Sequence, residues 1–213
     1  MVSSASPDAH GGAPIVLLGA GGHGRVALDV CLAAGLNVAG FLDRQISGTP
    51  DGRPILGDDS RLGDHAFVAT HRFLPTLGDQ VARRRVSEAV LAAGGTLVTA
   101  VHPAAVISPR AQIGAGTLVV AGAVINTGTR IGRYCIINTR ASIDHDCVLE
   151  DGAQVGPGAI LCGAVRLGAD VVVGAGAVLL PGIKAGPGAI VGAGAVVTRD
   201  LDGGATVKGN PAR

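Results

Sequence analysis

The feature that most constrains the fold of this chain is a period of six residues between positions 101 and 197. Every sixth residue in this segment is aliphatic, with no insertion between repeats. The positions are Val101, Ile107, Ile113, Val119, Ile125, Ile131, Ile137, Ile143, Leu149, Val155, Leu161, Leu167, Val173, Leu179, Ala185, Val191 and Val197. A period of six is typical of a short strand followed by a tight turn, and three such units close one triangular coil. The pattern therefore predicts a parallel β-helix in which each residue stacks on the one eighteen positions away.

A second, mostly small residue follows each aliphatic residue after four positions. Examples are Ala105, Ala111, Thr117, Ala123, Cys135, Ala141, Cys147, Ala153, Ala159, Ala177, Ala189 and Ala195. One branched and one small side chain per repeat would fill a narrow prism that has no room for an aromatic ring. This explains why aromatic residues make up only 2% of the chain, whereas glycine, which suits tight turns, occurs 35 times.

The first hundred residues lack this period and alternate between apolar runs and helical patterns. We predict strands over 14–19, 38–43, 65–70 and 96–101, and helices over 21–36 and 80–93. This order predicts a Rossmann-like α/β domain with a parallel sheet, large enough for one mononucleotide. The predicted organisation is a disordered segment at 1–13, an α/β domain at 14–100 and a β-helix domain at 101–213.

The charged residues nearly balance, with 17 Lys and Arg against 16 Asp and Glu and a formal net charge of +1. No global field therefore attracts nucleic acid or an anionic membrane. The four cysteines show no CxxC spacing, and the chain opens on a polar stretch. We expect buried thiols in a reducing, cytoplasmic compartment.

A glycine-rich motif stands between the first predicted strand and the first predicted helix. Its sequence is Gly19-Ala20-Gly21-Gly22-His23-Gly24. Such a turn lets backbone N–H groups and a helix N-terminus approach a phosphate, and Asp43, after the second strand, is placed to meet a ribose hydroxyl. An NAD-dependent oxidoreductase is an alternative, but the domain supplies only half of a dinucleotide fold, so that a nucleotide sugar fits better. A glycine-rich turn that binds no ligand is a further alternative.

A histidine interrupts the small turn residues of the repeat in the segment Ser142-Ile143-Asp144-His145-Asp146-Cys147. A lone histidine is most often structural or exposed, but this one is flanked by acids. Because free imidazole has a pKa of about 6.5, His145 could take a proton from a nucleophile that attacks a thioester. A neighbouring carboxylate would orient the ring and stabilise the imidazolium. One histidine cannot supply the several ligands of a metal site, so that no metal is expected.

Runs of small residues recur in three successive coils, at 155–159, 173–177 and 191–195. Turn chemistry alone explains most of their glycines. Stacked small residues would also leave a shallow groove with free backbone N–H groups, which suits the extended pantetheine arm of coenzyme A. The sequence favours neither interpretation over the other.

Taken together, residues 14–213 resemble the bacterial sugar acyltransferases that include sialic acid O-acetyltransferases and the N-acetyltransferases of UDP- or GDP-linked 4-amino sugars. The motifs are GAGGHGRV at 19–26, FLD at 41–43, GDD at 57–59, LGDQ at 77–80, IDHDCV at 143–148 and VKGNPAR at 207–213. The resemblance implies a left-handed β-helix that acts as an acetyl-coenzyme A-dependent acyltransferase domain. It also implies an N-terminal nucleotide-sugar-binding domain and a homotrimer.

The resemblance further implies roles for single residues. His145 would act as general base, and Asp146 would raise its basicity. The implied contacts of the nucleotide-linked sugar are Gly21, Gly22, His23, Asp43, Arg44 and Gly78. Acetyl-coenzyme A would lie between neighbouring subunits, and its implied contacts are Gln154, Gly163, Ala175 and Ala193. The Gly163 N–H would polarise the thioester carbonyl.

Two positions depart from the family pattern. Gln154 stands where relatives commonly have a second histidine that contacts the cofactor, so that cofactor binding is expected to differ. Residues 71–76 resemble an insertion, which is expected to reshape the sugar pocket near Gly78.

The leading hypothesis is direct transfer of an acetyl group from acetyl-coenzyme A to the amine of a nucleotide-activated 4-amino-deoxysugar, without an acyl-enzyme. O-acetylation of a sugar such as sialic acid would use the same machinery and stays open. A non-catalytic β-helix that binds nucleotide sugars is a third interpretation, which the pairing of His145 with Asp146 disfavours.

Overall fold

The computed structural model describes residues 12–213. The chain forms two compact units that meet in sequence between Pro103 and Ala104, close to the domain boundary that the sequence suggests at 100/101. Of the segment predicted to be disordered, residues 1–13, all but Gly12 and Ala13 lie outside the described residues.

The first unit contains a four-stranded parallel sheet with the order β2-β1-β3-β4. Its strands are β1 (Ile15–Leu18), β2 (Val38–Leu42), β3 (Arg72–Pro75) and β4 (Thr96–Leu97). Its helices are α1 (Gly22–Ala33), α2 (His65–Thr70) and α3 (Gln80–Ala92), with 3₁₀ turns at Pro50–Gly52 and Asp59–Gly63. Strand β1 is buried along its whole length, as a central strand of a parallel sheet requires. The predicted α/β class is confirmed.

Two predictions in this unit are wrong. Residues 65–70, predicted as a strand, form helix α2. The Asp64 side chain accepts hydrogen bonds from the N–H groups of Ala66 and Phe67, both at 3.1 Å, and this N-cap outweighs the strand propensity of the residues that follow. Residues 71–76, predicted as an insertion, contain β3, which pairs with β1 and β4. This segment therefore belongs to the middle of the sheet and is not an added surface loop.

After β5 (Ala100–Val101), the second unit consists of two-residue strands separated by turns. They are β6 (Val106–Ile107), β7 (Gln112–Ile113), β8 (Leu118–Val119), β9 (Val124–Ile125), β10 (Arg130–Ile131), β11 (Ile136–Ile137), β12 (Ser142–Ile143), β13 (Val148–Leu149), β14 (Gln154–Val155), β15 (Ile160–Leu161), β16 (Arg166–Leu167), β17 (Val172–Val173), β18 (Val178–Leu179), β19 (Lys184–Ala185), β20 (Ile190–Val191), β21 (Val196–Val197) and β22 (Thr206–Val207). Strands of successive coils pair in parallel, and Ile131 aligns with Leu149, eighteen positions later. The predicted parallel β-helix is confirmed.

The aliphatic positions of the repeat fill the interior of the prism. From Val119 to Val197 every one of them is buried, while the three earlier positions are half-buried. The small partners Ala123, Ala141 and Ala159 have no exposed surface. Because the inward side chains serve packing, only the turns and the outward strand residues are left for function.

The outward strand residues differ between the three faces of the prism. The face that we call the aliphatic face presents Val106, Val124, Ser142, Ile160, Val178 and Val196. The face that we call the charged face presents Gln112, Arg130, Val148, Arg166 and Lys184. The third face presents Leu118, Ile136, Gln154, Val172, Ile190 and Thr206. Only one face thus has the composition of an ordinary solvated surface.

Candidate active site

His145 lies in the turn between β12 and β13, at the corner between the aliphatic and charged faces. Gly163, eighteen residues later, takes the same turn position in the next coil. A Cβ atom at Gly163 would lie 2.6 Å from Nε2 and 2.7 Å from Cε1 of His145. The imidazole therefore lies against the Gly163 backbone, in space that any larger residue would occupy.

Asp146 orients the His145 ring. Nδ1 of the imidazole and Oδ2 of the carboxylate are 2.8 Å apart. The Asp146 backbone has a positive φ of 58°, and its N–H donates to the carbonyl of Thr127 in the preceding coil at 3.0 Å. Gly128 lies on the other side of the carboxylate, since a Cβ atom there would be 2.4 Å from Oδ1. A left-handed turn and a glycine in the coil below thus place the carboxylate beside the ring.

This arrangement favours a proton on the imidazole. The hydrogen bond with Asp146 raises the pKa of His145, the negative charge of Asp144 adds to the increase, and desolvation opposes it. When the Nδ1–H donates to Asp146, the lone pair of the neutral ring is on Nε2. His145 can therefore accept a proton at the atom that lies against Gly163.

Two buried cysteines are not poised as nucleophiles. Burial raises the pKa of Cys147 to about 11, and its thiol donates to the carbonyl of Cys162 at 3.3 Å. Burial also raises the pKa of Cys31, in α1, to about 12. Both thiols are thus protonated at neutral pH, whereas nucleophilic attack requires the thiolate.

The backbone N–H of Gly163 has no hydrogen-bond acceptor in the part of the chain that the structure describes, although the residue is buried. Its carbonyl, in contrast, accepts from the N–H of Gly182 at 2.9 Å. The Gly163 N–H is therefore available to a hydrogen-bond acceptor of a ligand. Beside the His145 ring, this amide is suited to receive a carbonyl oxygen on which negative charge develops.

The other three residues assigned to acetyl-coenzyme A lie elsewhere around the prism. Gln154 is an outward, half-buried residue of β14. Ala175 and Ala193 stack at the turns after β17 and β20, where the N–H of Gly194 donates to the carbonyl of Ala175 at 2.8 Å. Within one chain, the structure brings Gly163 beside His145 and leaves these three residues on another face and another corner.

In the first unit, the glycine-rich motif forms the turn between β1 and α1. A Cβ atom at Gly24 would lie 2.0 Å from the carbonyl oxygen of Gly19, so that this position requires glycine. Gly21, the N-cap of α1, and Gly22 are exposed and border open space. The exposed start of α1 has the geometry with which helix N-termini receive anions.

The Asp43 carboxylate connects the glycine-rich turn to the loop after β2 by hydrogen bonds. Its Oδ2 accepts from the N–H of Ala20 at 2.8 Å, and its Oδ1 accepts from the N–H groups of Gln45 and Ile46 at 2.8 and 2.9 Å. Burial tends to raise the pKa of Asp43, but these hydrogen bonds outweigh it and the pKa is lowered. The carboxylate is therefore ionised and fixed beside the glycine turn, and its contact with a ribose stays a prediction.

A cavity of about 260 Å³ opens between the glycine turn and α3. Asp43 and Arg44 line it, together with Asp59 and Arg85. The Arg44 guanidinium binds Asp59 through Nε and Nη2 at 2.5 and 2.7 Å, and Arg85 lies 3.8 Å from the same carboxylate. Asp59 and Arg85 are not predicted from the sequence. The GDD motif at 57–59 could have indicated Asp59, but no sequence pattern connects Asp59 with Arg85 in α3.

His23 and Gly78 are both influenced by Arg83, a residue of α3 that has no exposed surface. The Arg83 Nη1 donates to the carbonyls of Leu77 and Gly78 at 2.9 and 3.2 Å. Burial, followed by the positive charge of Arg83, lowers the pKa of His23 to about 4. His23 is therefore neutral, and the buried arginine fixes the loop that carries Gly78. Because three consecutive arginines stand at 83–85, the sequence does not indicate which of them points inward.

None of the described helices has the length and apolar character needed to cross a membrane. Among residues 12–213, no three His, Cys, Asp or Glu side chains are grouped so that they could hold a metal ion.

Comparison with known proteins finds relatives of both units. The model of the PglD N-terminal domain matches residues 14–90. The acetyltransferase domain of PglB from Neisseria gonorrhoeae, solved in complex with acetyl coenzyme A, matches with a TM-score of 0.92 and 36% identity over 95% of this chain and 99% of that chain. PerB from Caulobacter crescentus, in complex with CoA and GDP-perosamine, matches with a TM-score of 0.89 and 38% identity over 96% and 97% of the two chains.

WeeI from Acinetobacter baumannii is similar as well, with a TM-score of 0.81 and 27% identity over 94% of this chain and 98% of that chain. No match was found among the curated proteins.

A β-helix of hexapeptide repeats with a histidine–carboxylate pair at one corner, preceded by a small α/β unit, defines an acyltransferase. The chain belongs to the hexapeptide-repeat sugar acyltransferases, since it is 36% identical to one solved member over nearly its whole length. The resemblance inferred from sequence, the left-handed β-helix and the enzyme class are thereby confirmed. The roles of individual residues stay predictions.

The contact between His145 and Gly163 predicts the effect of adding one methyl group. Gly163 is not in the left-handed region, so that Gly163→Ala is compatible with the backbone and acts by displacing the imidazole. We expect kcat for acetyl transfer to fall by about a hundredfold, as misplaced catalytic groups generally cause. The matched control is Gly63→Ala, where open space surrounds the position. Wild-type kcat in Gly163→Ala would contradict the contact.

The pairing with Asp146 predicts a change in pH dependence. Only the neutral imidazole is a base, so that activity is lost as the pH falls through the pKa of His145. Asp146→Asn removes the main cause of the raised pKa, and we expect the acidic limb of the kcat profile to move to lower pH. The control is Asp200→Asn, which changes a carboxylate that accepts from the N–H of Lys184 at 2.8 Å. An acidic limb at the wild-type position in Asp146→Asn would refute the pairing.

Proposed function

We propose that this protein transfers the acetyl group of acetyl-coenzyme A to the amino group of a nucleotide-activated 4-amino-deoxysugar. The observation that carries the proposal is the corner at which His145 bonds Asp146 through Nδ1 and lies with Nε2 against Gly163. The complexes of PglB with acetyl coenzyme A and of PerB with CoA and GDP-perosamine support the two substrates. Both relatives align over at least 95% of this chain.

In the proposed reaction, Nε2 of His145 accepts the proton of the amine as its nitrogen attacks the thioester carbonyl. The Gly163 N–H donates a hydrogen bond to the carbonyl oxygen, which becomes negatively charged as the tetrahedral intermediate forms. When the carbon–sulfur bond breaks, the imidazolium returns the proton to the sulfur of coenzyme A. Amide and free thiol are the products, and no enzyme nucleophile is needed, in agreement with the raised pKa of Cys147.

The nucleotide-linked sugar is assigned to the first unit. Gly21 and Gly22 leave the start of α1 open to a diphosphate, and Asp43 and Arg44 line a cavity of about 260 Å³ that adjoins the glycine turn. Arg44 and Arg85 both lie at the carboxylate of Asp59, so that the cavity has guanidinium N–H groups as well as the Asp43 carboxylate at its lining.

A homotrimer explains why the residues assigned to acetyl-coenzyme A are separated within one chain. Gly163 lies beside His145, whereas Gln154, Ala175 and Ala193 lie on another face and corner, where a neighbouring copy could present them. The aliphatic face gives such an assembly its driving force, since Val106 is 64% and Ile160 is 42% exposed. A row of outward residues that is aliphatic at every position but Ser142 is typical of an interaction surface in soluble proteins.

The substrate assignment is tested by coenzyme A release, followed with a thiol reagent. Acetyl-coenzyme A is combined with UDP-, GDP- and dTDP-linked 4-amino sugars, with sialic acid and free amino sugars as comparators. We expect release with a nucleotide-linked amine, and a fall in kcat of about two to four orders of magnitude in His145→Ala, the range for loss of a general base. The exposed His65 provides the control His65→Ala. Release with sialic acid alone would replace the N-acetyltransferase by an O-acetyltransferase.

The trimer is tested by light scattering. We expect the wild type to have three times the chain mass of 20.9 kDa, and Ile160→Glu to reduce this mass because it buries a charge in the aliphatic face. Acetyl-coenzyme A binding should weaken in the same variant. Lys184→Glu on the charged face is the matched control and should keep the wild-type mass. A monomeric wild type would contradict the shared site.

A further inference from the structure

Asp144, the residue before His145, is the centre of a hydrogen-bond network that the proposed mechanism does not use. Its Oδ1 accepts from the backbone N–H of His145 at 2.8 Å and from Nδ2 of Asn126 at 3.1 Å. Its carbonyl accepts from the hydroxyl of Thr129 at 2.8 Å, and its N–H donates to the carbonyl of Leu161 at 2.9 Å. Asp144 is therefore held by the coils on both sides.

The two contacts of Oδ1 have different consequences. The bond to the His145 N–H fixes the backbone from which the imidazole projects, at a turn where the side chain is 55% exposed. The bond to Asn126 prevents the carboxylate from rotating away, because Asn126 occupies the same position in the preceding coil. Asp146 orients the ring directly, whereas Asp144 acts through the main chain.

The negative charge of Asp144 also acts on the imidazole ring of His145. Its pKa is lowered, first by the hydrogen bond from the His145 N–H and further by the Asn126 side chain, while desolvation opposes them. It is therefore ionised at neutral pH, and its charge is the second cause, after the bond with Asp146, that raises the pKa of His145. Within residues 12–213, the carboxylates of Asp144 and Asp146 are the charged groups that change the pKa of the imidazole.

We infer that Asp144 is a positioning residue for acetyl transfer, which fixes the backbone of His145 and stabilises the imidazolium that forms when Nε2 takes the proton. The inference rests on the proposed function of His145 as the base. It assigns separate tasks to the two acids of the motif. Asp146 sets the angle of the ring, and Asp144 sets the position from which the ring projects.

Two substitutions separate these contributions. Asp144→Asn keeps an oxygen that can accept from the His145 N–H and removes the charge, while Asp144→Ala removes both. The first readout is the titration of the His145 Cε1–H signal by NMR on the full-length protein labelled at histidine, assigned with His145→Ala. We expect the pKa of His145 to fall in both variants and to stay unchanged in the control Asp200→Asn.

The second readout is hydrogen exchange of the His145 amide. We expect exchange to accelerate on the order of tenfold or more in Asp144→Ala, because the amide loses its acceptor, and to change little in Asp144→Asn. With a nucleotide-linked 4-amino sugar that the wild type turns over, kcat should fall by roughly tenfold in Asp144→Ala and less in Asp144→Asn, with KM for acetyl-coenzyme A retained.

An unchanged pKa of His145 in Asp144→Asn, or wild-type amide exchange in Asp144→Ala, would overturn the inference. Both NMR readouts are made without substrate, so that they decide it even where no acceptor in the panel is acetylated. Absence of turnover would contradict the proposed function instead. If Asp144→Ala does not fold, Asp144→Asn takes its place, because Asp144→Asn keeps the hydrogen-bonding oxygen. An unchanged pKa of His145 in Asp144→Asn is then sufficient to overturn the inference.

Discussion

The hydrogen-bonded ladder between successive coils is the constraint on which the rest of the β-helix depends. Strand pairs fix a stacking distance of eighteen residues, as between Ile143 and Leu161. Hydrogen bonds between the turns of successive coils hold the same register, as from the Ala164 N–H to the His145 carbonyl. A shift of one residue would turn every inward side chain outward. The register is therefore fixed, and each turn residue has a known neighbour above and below.

This fixed stacking explains how an exposed turn can hold the proposed catalytic residues in place. His145 has space for its ring only because Gly163 follows it in the next coil, and Asp146 has space only because Gly128 precedes it. Asn126, one position before Thr127 in the preceding coil, reaches Asp144 for the same reason. The candidate site is thus spread over three coils, although the atoms proposed to react belong to one short motif.

The periodic half of the chain is predictable from sequence because every sixth side chain is aliphatic and packs inside the prism. The first half is less so, since α2 and β3 depend on the Asp64 cap and on pairing with distant strands. The motifs located the glycine turn and His145, but the partners of these residues lie far away in sequence. Arg83 is the clearest case, because its burial against the Leu77 and Gly78 carbonyls follows from tertiary packing alone.

The exposure of the proposed catalytic pair, His145 and Asp146, gives a physical reason for assembly in addition to the burial of aliphatic surface. The side chains of His145 and Asp146 are 55% and 68% exposed in the single chain, and ion pairs at that exposure are weak because water screens them. A wall that excludes water from this corner would strengthen the hold of the carboxylate on the imidazolium and the polarisation of a thioester by the Gly163 N–H. In the proposed trimer, the neighbouring subunit would provide that wall together with Gln154, Ala175 and Ala193, so that binding of the co-substrate and activation of the base would be completed by the same contact.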